Sequence, residues 1–347
     1  MTPKHFASLA AAAALSLIVA IAVHAARQPS APGASGTTPL FPSLAAGKVA
    51  RVSVTQGGTT LTLEKSGDEK SGERWVMKSQ DGYPASTDKV RALIAALSNA
   101  RLLEAKTALP ARYSALAVDD PAGKLSSARL VRLEDATGAP LAEVIAGKSK
   151  AASHAAGSGS GAGSETYVRR PGEDQSWLAS SDIAGDANLK SWAEPRIFET
   201  KTETIGSLTV ELPGQPAYVI KRSEDGAHTL ADIPAGKRIK YVNMIDNIIE
   251  AASFLDLEKV RKAPATPGGT DAGTVSFTTD AGLKITLKVR SDKDNTWVTI
   301  DAKGDGEAKQ AAADIAARAA GWEFVILPSK SDTMLKARDD LLEDQAS

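Results

Sequence analysis

The sequence predicts an α+β protein built as a tandem repeat of two related modules, each an antiparallel sheet with an amphipathic helix packed on one face. Three observations support this prediction: an apolar pattern that occurs twice, short β-type runs between turn residues, and sufficient length. The 347 residues exceed the roughly 100–200 residues of one domain. The chain is 42% hydrophobic and 24% charged, as in ordinary globular proteins.

The repeated pattern is an apolar stripe with helical spacing. Residues three or four positions apart lie on one face of a helix, so each stripe indicates a helix with one buried face. Similarity at a domain-sized period indicates two copies of one structural unit. The stripe of the first helix recurs in the second at a constant spacing, as the pairs Val90/Val242, Leu93/Ile245, Leu97/Ile249, Ala100/Ala252 and Leu102/Phe254.

The same order of predicted strands surrounds both helices. Runs that are β-branched, or that alternate apolar with polar residues between Gly-containing turns, indicate strands. Because the connections are short, we expect antiparallel pairing. The runs before the helices are 49–55, 59–65 and 75–78 in the first copy and 205–212, 217–222 and 228–231 in the second. The runs after the helices are 128–134, 141–146 and 166–168, then 274–279, 283–289 and 296–298.

The domain organisation follows from these elements and from the composition of the segments between them. Residues 1–26 are expected to be a membrane anchor or signal segment, and 27–45 a flexible linker. The first module is expected over 46–200 and the second over 201–345. A Gly/Ser-rich tract at 151–164 is interpreted as an enlarged hairpin loop of the first module.

The N-terminal segment predicts export. Lys4 and His5 precede an apolar run, 6–26, which has the ~20-residue length of a membrane-spanning helix and exceeds the roughly 7–15 residues of a signal-peptide core. We therefore favour a single-pass inner-membrane anchor with the bulk of the chain in the periplasm. Cleavage after Ala25 and release into the periplasm is the alternative. The chain has no cysteine, so no disulfide framework and no lipid-modified cysteine is expected.

Motifs for catalysis and cofactor binding are scarce. The formal net charge of −1 and an aromatic content of 5% argue against a nucleic-acid partner. The chain has 4 histidines, without metal-ligand spacing, so no metal and no cofactor is expected, and His228 is interpreted as a strand residue. The acidic pairs at 119–120, 134–135 and 339–340 border turn residues or helix ends, which favours turn and cap roles over acid–base catalysis or Ca²⁺ binding. No catalytic residue is assigned.

Tyr167, Arg169, Arg170 and Trp177 are the candidate partner-binding residues. Two arginines beside aromatic rings can grip a carboxylate or phosphate, and Arg, Tyr and Trp dominate interface hot spots. The alternative interpretation is a solvated strand end, at which charged pairs contribute little to stability.

Several motifs, taken in order, resemble the bacterial envelope family named domain of unknown function 4340 over about residues 40–342. They are Trp75-Val76-x-Lys78, Gly82-Tyr83-Pro84-Ala85, Tyr113-x-x-Leu116-x-Val118-x-Asp120-Pro121, Gly147-Lys148, Tyr167-Val168-Arg169-Arg170 and Gly321-Trp322-x-Phe324. The resemblance implies an inner-membrane-anchored protein that faces the periplasm and is often encoded beside ABC-transporter components of the gliding-motility type. It brings no catalytic residues, and the tract 151–164 departs from the short hairpin of the family.

These observations favour a non-catalytic accessory protein that binds membrane or periplasmic protein partners, ABC transporter subunits among them. Two alternatives stay open: a hydrolase-like envelope enzyme, and a module that binds a glycan or peptide. An enzyme should show a concave site where titratable groups converge. An interaction protein should instead expose an apolar patch or an open sheet edge.

Overall fold

The computed structural model describes residues 38–67, 72–151, 164–241, 243–292 and 294–345. These residues divide into two compact units, of which unit 1 comprises 38–49, 54–59 and 92–184 and unit 2 comprises 50–53, 60–91 and 185–345. The bounds of these two units differ from those of the predicted modules, 46–200 and 201–345. The division of the chain into those modules therefore stays a prediction. The anchor expected at 1–26 lies outside the described residues. Within the part of the chain that is described, every helix is too short or too polar to cross a membrane.

Most of the regular structure is β-strand. The strands are β1 (Thr38–Pro39), β2 (Arg51–Gln56), β3 (Thr59–Lys65), β4 (Trp75–Met77), β5 (Tyr83–Ala85), β6 (Arg101–Ala105), β7 (Arg129–Glu134), β8 (Pro140–Ala151), β9 (Ser164–Arg169), β10 (Ser176–Ala179), β11 (Arg196–Glu199), β12 (Ile205–Glu211), β13 (Tyr218–Arg222), β14 (His228–Leu230), β15 (Lys237–Ile239), β16 (Phe254–Asp256), β17 (Val260–Lys262), β18 (Thr270–Thr279), β19 (Lys284–Ser291), β20 (Thr296–Lys303), β21 (Trp322–Ile326) and β22 (Leu342–Asp344). All pairings described between them are antiparallel, which confirms the predicted α+β class with antiparallel sheets.

Helices are few and short. The α-helices are α1 (Thr87–Asn99), α2 (Tyr113–Leu116), α3 (Leu189–Trp192), α4 (Asn243–Ser253), α5 (Lys309–Ala319) and α6 (Pro328–Met334). Short 3₁₀ helices occupy Ala46–Lys48, Lys78–Gln80, Pro110–Arg112, Thr202–Thr204, Gly306–Ala308 and Arg338–Leu341. The predicted stripes are present in α1, where Val90, Leu93 and Leu97 are buried, and in α4, where Ile245, Ile249 and Ala252 are buried. Ala100 and Leu102 follow α1 and are buried, whereas Phe254 follows α4 and is half-buried. Val242 lies outside the described residues.

Unit 1 is built on antiparallel strands in the order β1-β6-β10-β9-β8-β7. Strands β7 and β8 alternate buried and more exposed residues along part of their length, and Val131, Leu133 and Val144 are buried in the core. The tract 151–164 connects β8 to β9, which pair with Ala151 opposite Ser164. A long connection, residues 106–128, leads from β6 to β7 and contains α2. We call this connection the 106–128 segment.

Unit 2 contains an 8-stranded sheet with the order β14-β13-β12-β18-β19-β20-β21-β17. It also contains the neighbouring strands β3, β4 and β5, and the pairs β11-β16 and β15-β22. The Tyr83 ring lies edge-on to Trp322, with ring centroids 5.0 Å apart, and to Phe324 at 6.1 Å. Two of the family-like motifs, 82–85 and 321–324, therefore meet through the buried rings of Tyr83 and Phe324 and the half-buried ring of Trp322.

Candidate functional site

The strand register places the predicted partner-binding residues on two faces of the sheet in unit 1. Tyr167 and Arg169 lie on β9, and Tyr167 is opposite Leu178, whereas Trp177 on β10 is opposite Val168. Opposite residues share a face and successive residues alternate. Tyr167 and Arg169 therefore lie on one face and Trp177 on the other. The register does not bring Trp177 to them, and partner binding by this set stays a prediction.

The guanidinium group of Arg169 binds backbone carbonyls within unit 1. Its Nε donates to the Val118 carbonyl at 2.8 Å, and Nη1 donates to the Glu173 carbonyl at 3.2 Å. Its Cζ lies 4.5 Å from the centre of the Tyr113 ring, a cation–π distance. Arg169 thus joins the end of β9 to the 106–128 segment.

Arg170 also bonds inside unit 1. Its Nη2 donates to the Leu40 carbonyl at 2.9 Å, and Nη1 lies 3.5 Å from the carboxylate of Glu173. Both arginines are half-buried. Because their donors have backbone acceptors, the pair differs from a solvated strand end, and we expect its removal to lower the stability of unit 1.

The 106–128 segment also approaches β8 closely at Gly147. A Cβ on Gly147 would lie 2.2 Å from the Leu116 carbonyl oxygen, far inside van der Waals contact. Lys148 donates from Nζ to the Ala115 carbonyl at 2.9 Å, and Arg129, which is buried, donates from Nη2 to the Gly147 carbonyl at 2.8 Å. Only glycine allows α2 to lie this near the strand.

Apolar side chains also pack between the 106–128 segment and the sheet of unit 1. The buried members are Tyr113, Val118, Ala128 and Ile145, with Leu116, Leu130 and Tyr167 packed against them. The Tyr113 hydroxyl donates to the Asp174 carbonyl at 2.6 Å. We call Tyr113, Val118, Gly147, Lys148 and Arg169 the motif cluster. Sequence reasoning identified these residues as parts of family-like motifs, and Arg169 also as a candidate partner-binding residue, but it did not predict their mutual contacts, which join positions far apart in the chain.

Asp120, Asp135 and His228 have structural partners. Asp120 Oδ1 accepts from the Ala122 N–H at 3.0 Å. Hydrogen bonds from the Thr137 hydroxyl and from backbone N–H groups hold the pKa of Asp135 below its usual range. His228 Nε2 lies 2.8 Å from the Ile205 carbonyl oxygen. In the described residues, no three His, Cys, Asp or Glu side chains converge on a possible metal position.

A concave site that the sequence did not indicate lies in unit 2. It is a groove of about 470 Å³ between α4, β16, the end of β21 and α6. We call it the Phe254 groove, because the Phe254 ring forms part of its wall. A second cavity of about 730 Å³ adjoins it and shares Glu250 and Phe254. The lining of the Phe254 groove includes Ala251, Leu255, Asp256, Ile326, Leu327 and Lys330.

Lys330 is the unusual group of this groove. Its Nζ lies 3.4 Å from the centre of the Phe254 ring, is shielded from solvent, and has no hydrogen-bond partner among the described residues. Burial lowers the pKa of Lys330 to about 8, opposed by the negative charge of Asp256 and assisted by the positive charge of Arg196. Arg196 lies 4.8 Å from the same ring, and its Nε donates to Asp256 at 2.9 Å.

The comparisons with known proteins identify a family for this chain but no activity. Residues 75–272, more than half of the chain, match the family model described as domain of unknown function (DUF4340). No curated protein and no solved structure matches the chain. The matched range contains the motif cluster and all four predicted partner-binding residues. The chain belongs to the family domain of unknown function 4340.

Proposed function

We propose that this chain is a non-catalytic, membrane-anchored accessory protein that binds protein partners in the bacterial periplasm, ABC transporter subunits among them. One observation carries the proposal: the motif cluster fixes the 106–128 segment to the sheet of unit 1. Arg169 and Lys148 direct their donors to carbonyls of that segment. Residues that bond to backbone in this way position a surface, and they are not free to act on a substrate.

The 106–128 segment presents apolar side chains to solvent. Leu109 is 56% exposed and Leu125 is 102% exposed. Apolar side chains on an ordered segment lose little conformational freedom when a partner covers them, which favours binding. The proposed interaction surface is therefore the outer side of this segment, with Leu109 and Leu125 as its apolar contacts.

The test is the capture of membrane partners with a double variant of the full chain, Leu109→Ser with Leu125→Ser. If each leucine contributes about 1 kcal/mol to an interface, the double variant loses about 2 kcal/mol and affinity should fall about thirtyfold. Partners captured from solubilised membranes would be quantified by mass spectrometry. Tyr241→Ser in unit 2, at a site 59% exposed, is the matched control and should keep capture unchanged. Full capture by the double variant would reject this surface.

The proposed location rests on the N-terminal sequence. The run 6–26 has the length of a membrane span, so the tagged chain should fractionate with the inner membrane and resist extraction by salt. A protease added to spheroplasts should degrade the described part of the chain, which we place in the periplasm. Recovery of a soluble periplasmic form with an N-terminus near Ala26 would show a cleaved signal instead.

We also propose that the chain is a tandem repeat of two related modules, 46–200 and 201–345. Strand order supports this: β7, β8, β9 and β10 are neighbours in chain order, as are β18, β19, β20 and β21. Each series follows a helix with a buried apolar stripe, α1 or α4, and each helix follows an antiparallel hairpin, β3-β4 or β13-β14. Equivalent helix positions should therefore respond alike to substitution.

A further inference from the structure

We propose that the Phe254 groove binds an apolar molecule that carries a single carboxylate, with Lys330 Nζ as the counter-ion. This binding site goes beyond the proposed function, which rests on the 106–128 segment of unit 1. All residues that line the groove belong to unit 2.

The first step of the argument is the unpaired amine. An ammonium group has three donors and no acceptor, and burying it without hydrogen bonds is unfavourable. Lys330 Nζ lies against the face of the Phe254 ring and has no hydrogen-bond partner among the described residues. A carboxylate oxygen in the groove would supply the missing acceptor, and charge-assisted hydrogen bonds of this kind are stronger than neutral ones.

The neighbouring acids do not fill that role. Asp256 on β16 accepts from Arg196 of β11 at 2.9 Å, and Glu258 pairs with Lys190 at 2.7 Å. Glu250 on α4 lines the groove and its negative charge favours the ammonium form of Lys330, but it accepts no hydrogen bond from Nζ. The amine thus has no acceptor of its own, and an anion in the groove reaches it when the flexible Lys330 stem turns Nζ toward the groove that this residue lines.

The same acids limit the charge of the ligand. Glu250, Asp256 and Glu258 all line the groove, and like charges at short range repel. A ligand with two or more negative charges, such as a phosphate ester, is therefore disfavoured relative to a monocarboxylate. The cation beside the groove, Arg196, is held by Asp256 and Glu199.

The remaining lining of the groove favours a ligand whose main part is apolar. Ala251, Leu255, Ile326 and the Phe254 ring contribute apolar lining, and Leu327, 57% exposed, stands at the groove. Small-molecule sites of roughly 300–1,000 Å³ combine apolar walls with a few polar groups that fix orientation. The volume of about 470 Å³ admits a phenyl-alkyl group or one to two apolar side chains.

The test compares matched charged and neutral probes by calorimetry on the detergent-solubilised full chain. One pair is 4-phenylbutyrate and 4-phenylbutyramide, and the other is acetyl-Ala-Ala-Leu as the free acid and as the amide. Each acid should bind at least about tenfold more tightly than its amide, since only the acid pairs with Lys330. Preference for the phenylbutyrate pair would indicate a small apolar acid, and preference for the peptide pair a polypeptide C-terminus.

The substitution Lys330→Met keeps the apolar stem and removes the charge. It should abolish the preference for acid over amide and leave amide affinity within about twofold, whereas Lys309→Met, at an exposed site on α5, should change neither. Lys330→Gln is the second variant if Lys330→Met does not fold.

The pH profile supplies an independent readout. The pKa of Lys330 in the free protein is about 8, and a bound carboxylate raises it because it stabilises the ammonium form. Affinity for the acids should therefore have its full value below pH 7. Above pH 8 it should decrease by a factor that approaches about ten per pH unit. The affinity of the parent chain for the amides, and of Lys330→Met for either kind of probe, should not show this change. Equal binding of acid and amide, absence of binding by either pair, or an unchanged acid preference in Lys330→Met would overturn the proposal.

Discussion

Replacement of Leu97 or Ile249 by alanine is expected to lower the free energy of unfolding by about 2–5 kcal/mol. Each side chain is 1% exposed and lies on the buried face of its helix, Leu97 in α1 and Ile249 in α4. Alanine removes apolar burial and leaves a cavity that the surroundings fill only in part. Ile249 borders the cavity of about 730 Å³, so it is packed less completely than Leu97. The loss of stability in Ile249→Ala should therefore fall nearer the lower end of this range.

Denaturant titration of the purified full chain measures this effect. The control substitutions are Ala95→Ser in α1 and Asn247→Ala in α4, both on exposed positions, and we expect changes within about 0.5 kcal/mol. Lys89 is unsuitable as a control because its Nζ donates to the Ala193 carbonyl at 2.7 Å. An alanine variant as stable as the parent at either core position would contradict burial of that stripe.

Local sequence patterns were sufficient for the fold class and located the longer strands, although the runs predicted at 141–146, 274–279 and 296–298 cover only part of β8, β18 and β20. The run predicted at 59–65 coincides with β3, and the runs at 128–134 and 205–212 differ from β7 and β12 by one residue. These segments show the period of two that a half-buried strand imposes. Strands of three residues, such as β5, β16 and β17, are too short to show a period, and they form because a neighbouring strand offers them hydrogen bonds.

The candidate sites depended on contacts that no local pattern contains. The face of Trp177 follows from its pairing opposite Val168, and a shift of one residue in register would have placed it beside Tyr167. The acceptors of Arg169 include the Val118 carbonyl, distant in sequence. Lys330 occupies an unremarkable stretch of sequence, and only the packing of α6 near Phe254 removes its amine from water.

The motif cluster gives the second large expected effect, in the substitution Gly147→Ala. The added Cβ would meet the Leu116 carbonyl oxygen at 2.2 Å, the Ala117 carbonyl oxygen at 2.9 Å and Val118 Cγ1 at 2.9 Å. Two of these atoms are backbone, so no side-chain rotation relieves the clash and the segment itself has to move. Overpacking of this kind costs roughly 1–3 kcal/mol and occasionally more, and we expect about 3 kcal/mol here.

The displacement should also weaken bonds that depend on the present position of α2. Arg169 donates to the Val118 carbonyl and Lys148 donates to the Ala115 carbonyl, so hydrogen exchange should accelerate across the 106–128 segment. Amides of the unit 2 core around Phe277 should keep their protection, because Phe277 belongs to the other unit.

Gly47→Ala is the matched control, since a Cβ at Gly47 meets nothing within 4 Å and its φ, like that of Gly147, is not in the left-handed region. Replacing glycine by alanine at a compatible site stabilises a protein by about 0.4–1 kcal/mol, because the unfolded chain loses freedom. The two variants should therefore shift the free energy of unfolding in opposite directions. If Gly147→Ala were as stable as Gly47→Ala, the close approach of α2 to β8, and with it the positioning role of the motif cluster, would be wrong.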